Sequence, residues 1–301
     1  MTAVRGGWDS EGMTRLDGKV VLLTGATDGM GRALAADLAR AGATVLVHGR
    51  DPGRIADTVA EVIAAGAGNE AAGAAADSTE AAAAADRVRS YQADLASLAQ
   101  VRQLAEQVLA AEPRLDVLVN NAGIGVTEPG GGARQESTDG IELRFAVNYL
   151  AGYALTRLLL PLLRRSAPSR VVNVASIGQQ AIDFGDVMLT KDYDPMRAYR
   201  QSKLAQIMFS FDLAAELDLA GVTVSALHPA TFMPTKVSPA APVSTIAQGA
   251  DATMRLIAAP AARTGTGRYF NGLDESRAND QAYDEQARRL LRDLSRQLTG
   301  A

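Results

Sequence analysis

Along this chain, short runs of valine, leucine and other β-formers alternate with longer stretches in which apolar residues return every three or four positions. The short runs are KVVLLT (19–24), TVLVH (44–48), VRSYQ (88–92), DVLVN (116–120), RVVNVA (170–175), VTVSAL (222–227) and GRYF (267–270). A period near two gives way to a period near 3.6 and back again, which predicts βαβ units and therefore a parallel sheet covered by helices on both faces. The expected fold is α/β, a doubly wound parallel sheet of about seven strands in one domain over residues 16–301.

Four segments depart from this rhythm. Residues 1–15 carry charges and glycines without an apolar run, so they read as a loose tail and not as a secretion signal. Residues 64–86 are alanine-rich with little to bury, which predicts an insertion forming a frayed helix or mobile loop. In residues 279–298, Tyr283, Ala287, Leu290, Leu291, Leu294 and Leu298 recur at helical steps, as in an amphipathic helix docked on the body. Residues 178–198 mix Ile182, Phe184, Val187, Met188 and Leu189 with aspartates, which predicts a lip beside the active site, with Phe184 and Met188 touching substrate.

Composition narrows the chemistry. At 301 residues and 47% hydrophobic the chain can build a large core, and a net charge of -4 offers no general attraction to nucleic acid. Without cysteine there is no thiolate chemistry, and two histidines, His48 and His228, make a metal site a poor expectation. The most apolar helix, Tyr153 to Leu163, is interrupted by Arg157 and Pro161 and falls short of the roughly 18 residues of a span, so no membrane span and a cytoplasmic location are expected. Self-association of the chain is left open.

The turn TGATDGMG follows the first strand and opens a helix, the context in which a nucleotide-binding turn works. Gly25, Gly29 and Gly31 let the backbone approach a pyrophosphate, which the helix amides then meet; Thr27 and Met30 belong to the same turn. This is the start of a Rossmann-type fold that binds a dinucleotide. At the end of the second strand, VHGRD puts Gly49 where a ribose-binding acid would stand and Arg50 next to it, able to fork onto a 2′-phosphate. NADP(H) is therefore preferred over NAD(H), although Asp51 could pair with Arg50 or sit near the ribose. In AYRQSKLAQ, Tyr199 and Lys203 share a helix face; spacing alone fits an ordinary exposed pair as well as a proton-transfer pair.

With these motifs in order, the chain resembles the short-chain dehydrogenase/reductase family from Leu16 to Phe270, and its retinol-dehydrogenase-like branch most. TGATDGMG matches the family turn, NNAG (120–123) follows the fourth strand, Asn148 lies in FAVNYLAG, Ser176 ends NVAS, and Tyr199 and Lys203 form YxxxK. The resemblance implies a catalytic set of Asn148, Ser176, Tyr199 and Lys203. Tyr199 would transfer the proton, Ser176 hold the substrate oxygen, Lys203 lower the phenol pKa and hold the nicotinamide ribose, and Asn148 place a water. It also implies cofactor contacts from Asp94 and Leu95 beside the adenine, from Asn121, Ala122 and Gly123, and from Pro229 and Thr231 after the sixth strand. Ala230 replaces the glycine common in LHPGT-like sequences, so the backbone there could approach the nicotinamide differently.

The implied activity is NADP(H)-dependent hydride transfer between nicotinamide and a carbonyl or secondary alcohol, most readily reduction of an apolar ketone or aldehyde. Oxidation of an alcohol by the same residues, or a non-catalytic NADP(H) sensor, are the alternatives. An intact Asn148, Ser176, Tyr199 and Lys203 set argues against a sensor, which has no need of a proton donor.

Overall fold

The computed structural model describes residues 15–68, 78–127, 129–217, 221–237 and 240–301. The first half runs β1 (Val20–Leu23), α1 (Gly29–Arg40), β2 (Thr44–Gly49), α2 (Pro52–Gly66), α3 (Ser78–Ala85), β3 (Val88–Gln92), α4 (Leu98–Ala111) and β4 (Val117–Asn120). A helical turn, α5 (Leu143–Phe145), and a π turn (Ala146–Leu150) lead into α6 (Ala151–Arg165) and β5 (Ser169–Val174). Then follow α7 (Pro195–Glu216), β6 (Val222–His228), α8 (Ile246–Ala258), α9 (Ala261–Thr264), β7 (Arg268–Asn271), β8 (Asp274–Glu275) and α10 (Glu285–Thr299).

The sheet order is β3-β2-β1-β4-β5-β6-β7-β8. Strands β1 to β7 pair in parallel, and β8 returns antiparallel to β7. The eighth strand was not foreseen because its two residues, Asp274 and Glu275, are both exposed and charged and carry no apolar run. The chain order reverses between β1 and β4, so the crevice for a ligand opens at the carboxyl ends of those strands.

Period-two alternation on β1 sends its residues to two separate cores. Val21 and Leu23 join Leu34 and Leu38 of α1 and Leu256 of α8 on one face. On the other, Leu22 joins Leu104 of α4, Leu155 and Leu159 of α6 and Ile207 of α7. Local chemistry sets where the helices begin. Asp28 caps α1, Asp51 caps α2 ahead of Pro52, Asp194 caps α7 ahead of Pro195, and Thr245 with Gln248 forms a capping box on α8.

The irregular segments require several corrections. Residues 1–14 and 69–77 lie outside the described residues, but the rest of the alanine-rich stretch is ordered as helix. It supplies the last turn of α2 and all of α3, whose Ala84 is buried. Small side chains do find a partner here, since Gly66 of α2 lies beside Ala84 and Ala39. The segment 178–198 does not form the expected substrate lip. Ile182 and Leu189 are buried, and Phe184, Val187 and Met188 pack against the α4–α6–α7 core. Gln281 clamps Ile182 by its N–H (2.6 Å) and carbonyl (3.0 Å), Gln201 binds the Ala181 carbonyl, and Arg134 the Met188 carbonyl.

At the C-terminus a short 3₁₀ turn (Asp280–Tyr283) precedes α10, which docks as expected through Ala287 and Leu291, while Tyr283 and Leu290 stay largely exposed. The central helical run was also longer than the sequence reading allowed. Leu143–Arg165 is 23 residues and contains an 18-residue window of mean hydropathy 1.3, long and apolar enough to cross a membrane, yet 72% of that window is buried inside the fold.

Candidate active site

One cleft of about 980 Å³ opens at the carboxyl ends of β1 to β6. Gly25, Thr27, Gly29, Met30, Gly31, Arg50, Asp94, Leu95, Asn121, Ala122, Gly123, Ser176, Tyr199, Lys203, Pro229 and Thr231 all line it. Asn148 is the one predicted site residue set behind the wall.

The phosphate turn is tight for a steric reason. Gly25 has φ +65°, and a Cβ there would come within 2.8 Å of the Ala122 backbone. At Gly31 a Cβ would lie 2.1 Å from the Gly25 carbonyl oxygen. Asn121 is the brace beneath this turn, donating to the Thr24 and Gly25 carbonyls at 2.8 and 3.1 Å. Sequence reading had made Asn121 a cofactor contact; its amide side chain is spent on the turn. His48, which sequence reading left as structural, accepts from the Gly25 N–H through Nδ1 and so carries its proton on Nε2, facing the Ala93 carbonyl. Burial pushes its pKa down to about 4, which keeps it neutral in that role.

The end of β2 forms one wall of the cleft through His48, Gly49, Arg50 and Asp51. A Cβ on Gly49 would lie 2.6 Å from Thr27 Cγ2 and 3.0 Å from Ile55 Cγ1, so a carboxylate side chain has no room at this position. Asp51 caps α2, accepting from the Arg54 N–H at 2.8 Å, and also lines the cleft. The Arg50 side chain lines the cleft and has no bonding partner among the described residues. Arg54, which the sequence reading missed, also lines it, donating to the Thr27 carbonyl (2.9 Å) and pairing with Asp28 (2.7 Å). Lys236 pairs with the same Asp28 carboxylate at 2.9 Å. Burial alone would raise the Asp28 pKa, but hydrogen bonds from Lys236 and Arg54 hold it below the usual carboxylate value.

At the other end of the cleft, the Ser176 hydroxyl and the Tyr199 ring lie side by side, 3.4 and 3.9 Å from where a Cβ on Gly178 would sit. The Ser176 hydroxyl accepts from the Gly178 N–H at 3.0 Å, while its carbonyl receives Tyr269 Oη and Gln179 Nε2, each at 3.0 Å. Tyr269 and Gln179 thus fix the serine; GRYF had been legible only as a strand. Lys203 is fully enclosed and donates to the Val174 carbonyl (2.8 Å) and to Gln206 Oε1 (3.1 Å). Asn148, on the π turn, accepts from the Ile124 N–H (2.8 Å) and donates to Ser202 Oγ (3.0 Å). Gly123 lies beside both groups, where a Cβ would be in ordinary contact, 3.4 Å from Asn148 Oδ1 and from Lys203 Nζ.

The electrostatics correct one expectation. The lysine was expected to pull the Tyr199 phenol down, yet burial raises the phenol above its ordinary value, and the Ser176 hydroxyl beside it only partly opposes this. Burial also pushes Lys203 down to about 7, and its Nζ lies 6.0 Å from the ring centre. Loss of water penalises phenolate and ammonium alike, so the tyrosine is held as a neutral phenol, the form that can give up a proton. His228, bonded to Thr231 at 2.9 Å, is pushed down to about 4 by burial and by the neighbouring Lys203 charge.

The family model for short chain dehydrogenases matches residues 19–89 and 60–242. The chain belongs to this short-chain dehydrogenase family. Within it the curated relatives place the chain in the retinol-dehydrogenase-like branch. It is 37% identical to human "Retinol dehydrogenase 14", over 95% of this chain and 87% of that protein. It is 34% identical to mouse "Retinol dehydrogenase 13", over 95% of this chain and 85% of that one. Among solved structures, an uncharacterized protein from Mycobacterium paratuberculosis superposes with a TM-score of 0.74 at 27% identity, covering 98% of each chain. The Pseudomonas aeruginosa RhlG/NADP active-site complex gives 0.63 at 28% identity, covering 86% of this chain and 96% of that one. As a short-chain dehydrogenase, the protein is an oxidoreductase whose cleft takes a nicotinamide dinucleotide.

Proposed function

We propose that this short-chain dehydrogenase uses NADP(H) to interconvert an apolar ketone or aldehyde and its alcohol, acting chiefly as a carbonyl reductase. The observation that carries the reading is the Ser176–Tyr199 hydroxyl pair on the cleft wall, with the phenol neutral and Lys203 close by. A reduced nicotinamide, when bound, supplies the hydride. The residues do the rest: Ser176 donates a hydrogen bond to the carbonyl oxygen as negative charge grows there, and Tyr199 hands that oxygen its phenolic proton.

NADP(H) is supported by Arg50, whose side chain has no partner among the described residues, and by the crowding a Cβ at Gly49 would meet. The NADP named in the RhlG complex agrees with it. An apolar substrate is supported by Val126, Leu143, Val147, Ile177, Met196 and Phe232 along the cleft, and by relatives named for retinol. Those dehydrogenase names favour a second reading, alcohol oxidation with Tyr199 as base; it needs the phenol deprotonated, which burial disfavours.

The test is NADPH consumption over a panel of apolar ketones and aldehydes, with Tyr199→Phe as control. Turnover by the wild type, lost by at least about 10²-fold in the variant while NADPH still binds, is the expected result. Substantial activity in Tyr199→Phe would remove the tyrosine from this role. Tight NADPH binding without turnover of any carbonyl or alcohol would favour a sensor.

A further inference from the structure

Among the described residues, three with a Cβ adopt left-handed backbone conformations: Leu189 (φ +48°), Asp192 (φ +47°) and Phe232 (φ +44°). A bulky side chain is strained there, and such strain persists only where something offsets it. For Leu189 the offset is plain, since its side chain is buried to 1% exposure in the core. Phe232 has no such return from the rest of the chain. Its side chain lines the cleft and the residue stays 41% exposed, so the fold keeps a strained backbone in order to present an apolar ring to solvent.

The surrounding strap holds that geometry. After β6, His228 bonds Thr231 at 2.9 Å, and the Val243 N–H binds the Phe232 carbonyl at 3.1 Å. Further along, the strap is seated on two glycines. A Cβ on Gly29 would meet Thr235 at 2.9 Å, and one on Gly125 would meet the Val237 carbonyl at 2.6 Å. The Lys236–Asp28 pair ties the same strap to the phosphate turn. Phe232 is therefore held in place at the cleft and is not a frayed loop tip.

A second large apolar residue is exposed on the same cleft. Ile177 directly follows Ser176 and is 53% exposed. Among the described residues, these two are the only large hydrophobics that are both exposed and cleft-lining.

We propose that Phe232, with Ile177, is a specificity-determining residue that grips the apolar part of the substrate lying beyond the reacting carbonyl. Covering the two side chains removes apolar surface from water, and this is the compensation that the strained, exposed phenylalanine lacks within the chain. The inference rests on the oxidoreductase reading of the site and adds to it which residues read substrate length.

The experiment uses the full chain and a series of straight-chain methyl ketones of increasing length with NADPH. In the wild type, kcat/KM should climb with each added methylene, up to about fourfold per group. Phe232→Asn is the informative variant, because asparagine tolerates the left-handed backbone while the apolar ring is removed. The expected result is a fall of about tenfold or more in the ratio of kcat/KM for the longest ketone to that for the shortest, carried mainly by KM. Ile177→Ser should lower the ratio in the same sense. A loss in Phe232→Asn equal for every ketone, or an unchanged ratio, overturns the proposal. Calorimetric binding of the same ketones to the NADP⁺-loaded protein separates this from the reaction itself. If no ketone turns over, the reductase reading falls. Even then, affinity that rises with chain length in the wild type and not in Phe232→Asn sustains the role of the ring, and affinity independent of length overturns it.

Discussion

At the scale of single residues, the cleft is governed by what its buried or unpaired charges can do. Arg50 points at the cleft with no described partner, so it gains a partner when a 2′-phosphate arrives. Arg50→Ala should weaken NADPH binding by about 1.5–3 kcal/mol, the range for hydrogen bonds to charged groups, and leave NADH nearly unchanged. Fluorescence titration with both cofactors checks this; equal losses would take Arg50 out of phosphate recognition. Lys203 behaves differently because it is enclosed. Its pKa is depressed in the folded protein to about 7 from an ordinary 10.5, so the unfolded chain binds the extra proton between those values. Stability should therefore be lost as pH falls from about 10.5 to about 7 and then level off. Lys203→Met should flatten that profile in thermal melts while abolishing turnover.

At the scale of elements, the segment between Ser176 and α7 shows why apolar content does not by itself assign a binding role. Ile177 and Gly178 at its start and Met196 just inside α7 line the cleft, while Phe184 and Met188 rest on the core. Truncating Phe184 and Met188 together to alanine should cost about 2–4 kcal/mol of stability, less than for fully buried residues because both are partly exposed. Relative rates among ketones should stay constant. A changed substrate preference at unchanged stability would restore the segment as a substrate lip. Arg144 explains much of this anchoring. It is wholly buried, donates to the Gly125 carbonyl at 2.8 Å and to Tyr193 Oη at 2.7 Å, and lies 3.8 Å from the buried Glu142. It binds the loop after β4 to the segment before α7, so the wall of the cleft and the scaffold beside it form one unit.

For the whole molecule, the cleft draws on the ends of six parallel strands and on the strap after β6. A ligand there bridges the two cores that the sheet separates. Cofactor binding should consequently stabilise the entire domain. At a hundredfold excess over Kd the gain is about 2.7 kcal/mol, or roughly 5 °C in Tm for a domain of this size. NADPH at equal concentration should raise Tm more than NADH if Arg50 reads the phosphate. Identical shifts at saturating and matched concentrations would count against the cofactor preference proposed above.

Seven strands, the crossover helices between them and the phosphate turn were legible because each rests on local chemistry. Period-two and period-3.6 patterning sorts residues to faces, and a glycine-rich turn can be read wherever a strand feeds a helix. The resemblance carried by TGATDGMG, NNAG, NVAS and YRQSK then named the residues that meet in the cleft, although they lie as much as 178 positions apart between Gly25 and Lys203. The charged β8 was not legible, since two polar residues carry no periodic signal. Nor were the supports of the site. Tyr269 and Gln179 on the Ser176 carbonyl, Gln206 on Lys203, and Arg54 beside Asp28 are partners brought together by chain crossing. Burial was likewise decided by the tertiary structure: it turned Phe184 and Met188 inward, left Phe232 outward on a strained backbone, and raised the Tyr199 phenol that a neighbouring lysine was expected to lower. A residue's type and spacing are properties of the chain, whereas its access to water depends on every element packed around it, and that access sets both its pKa and the surface it offers to a ligand.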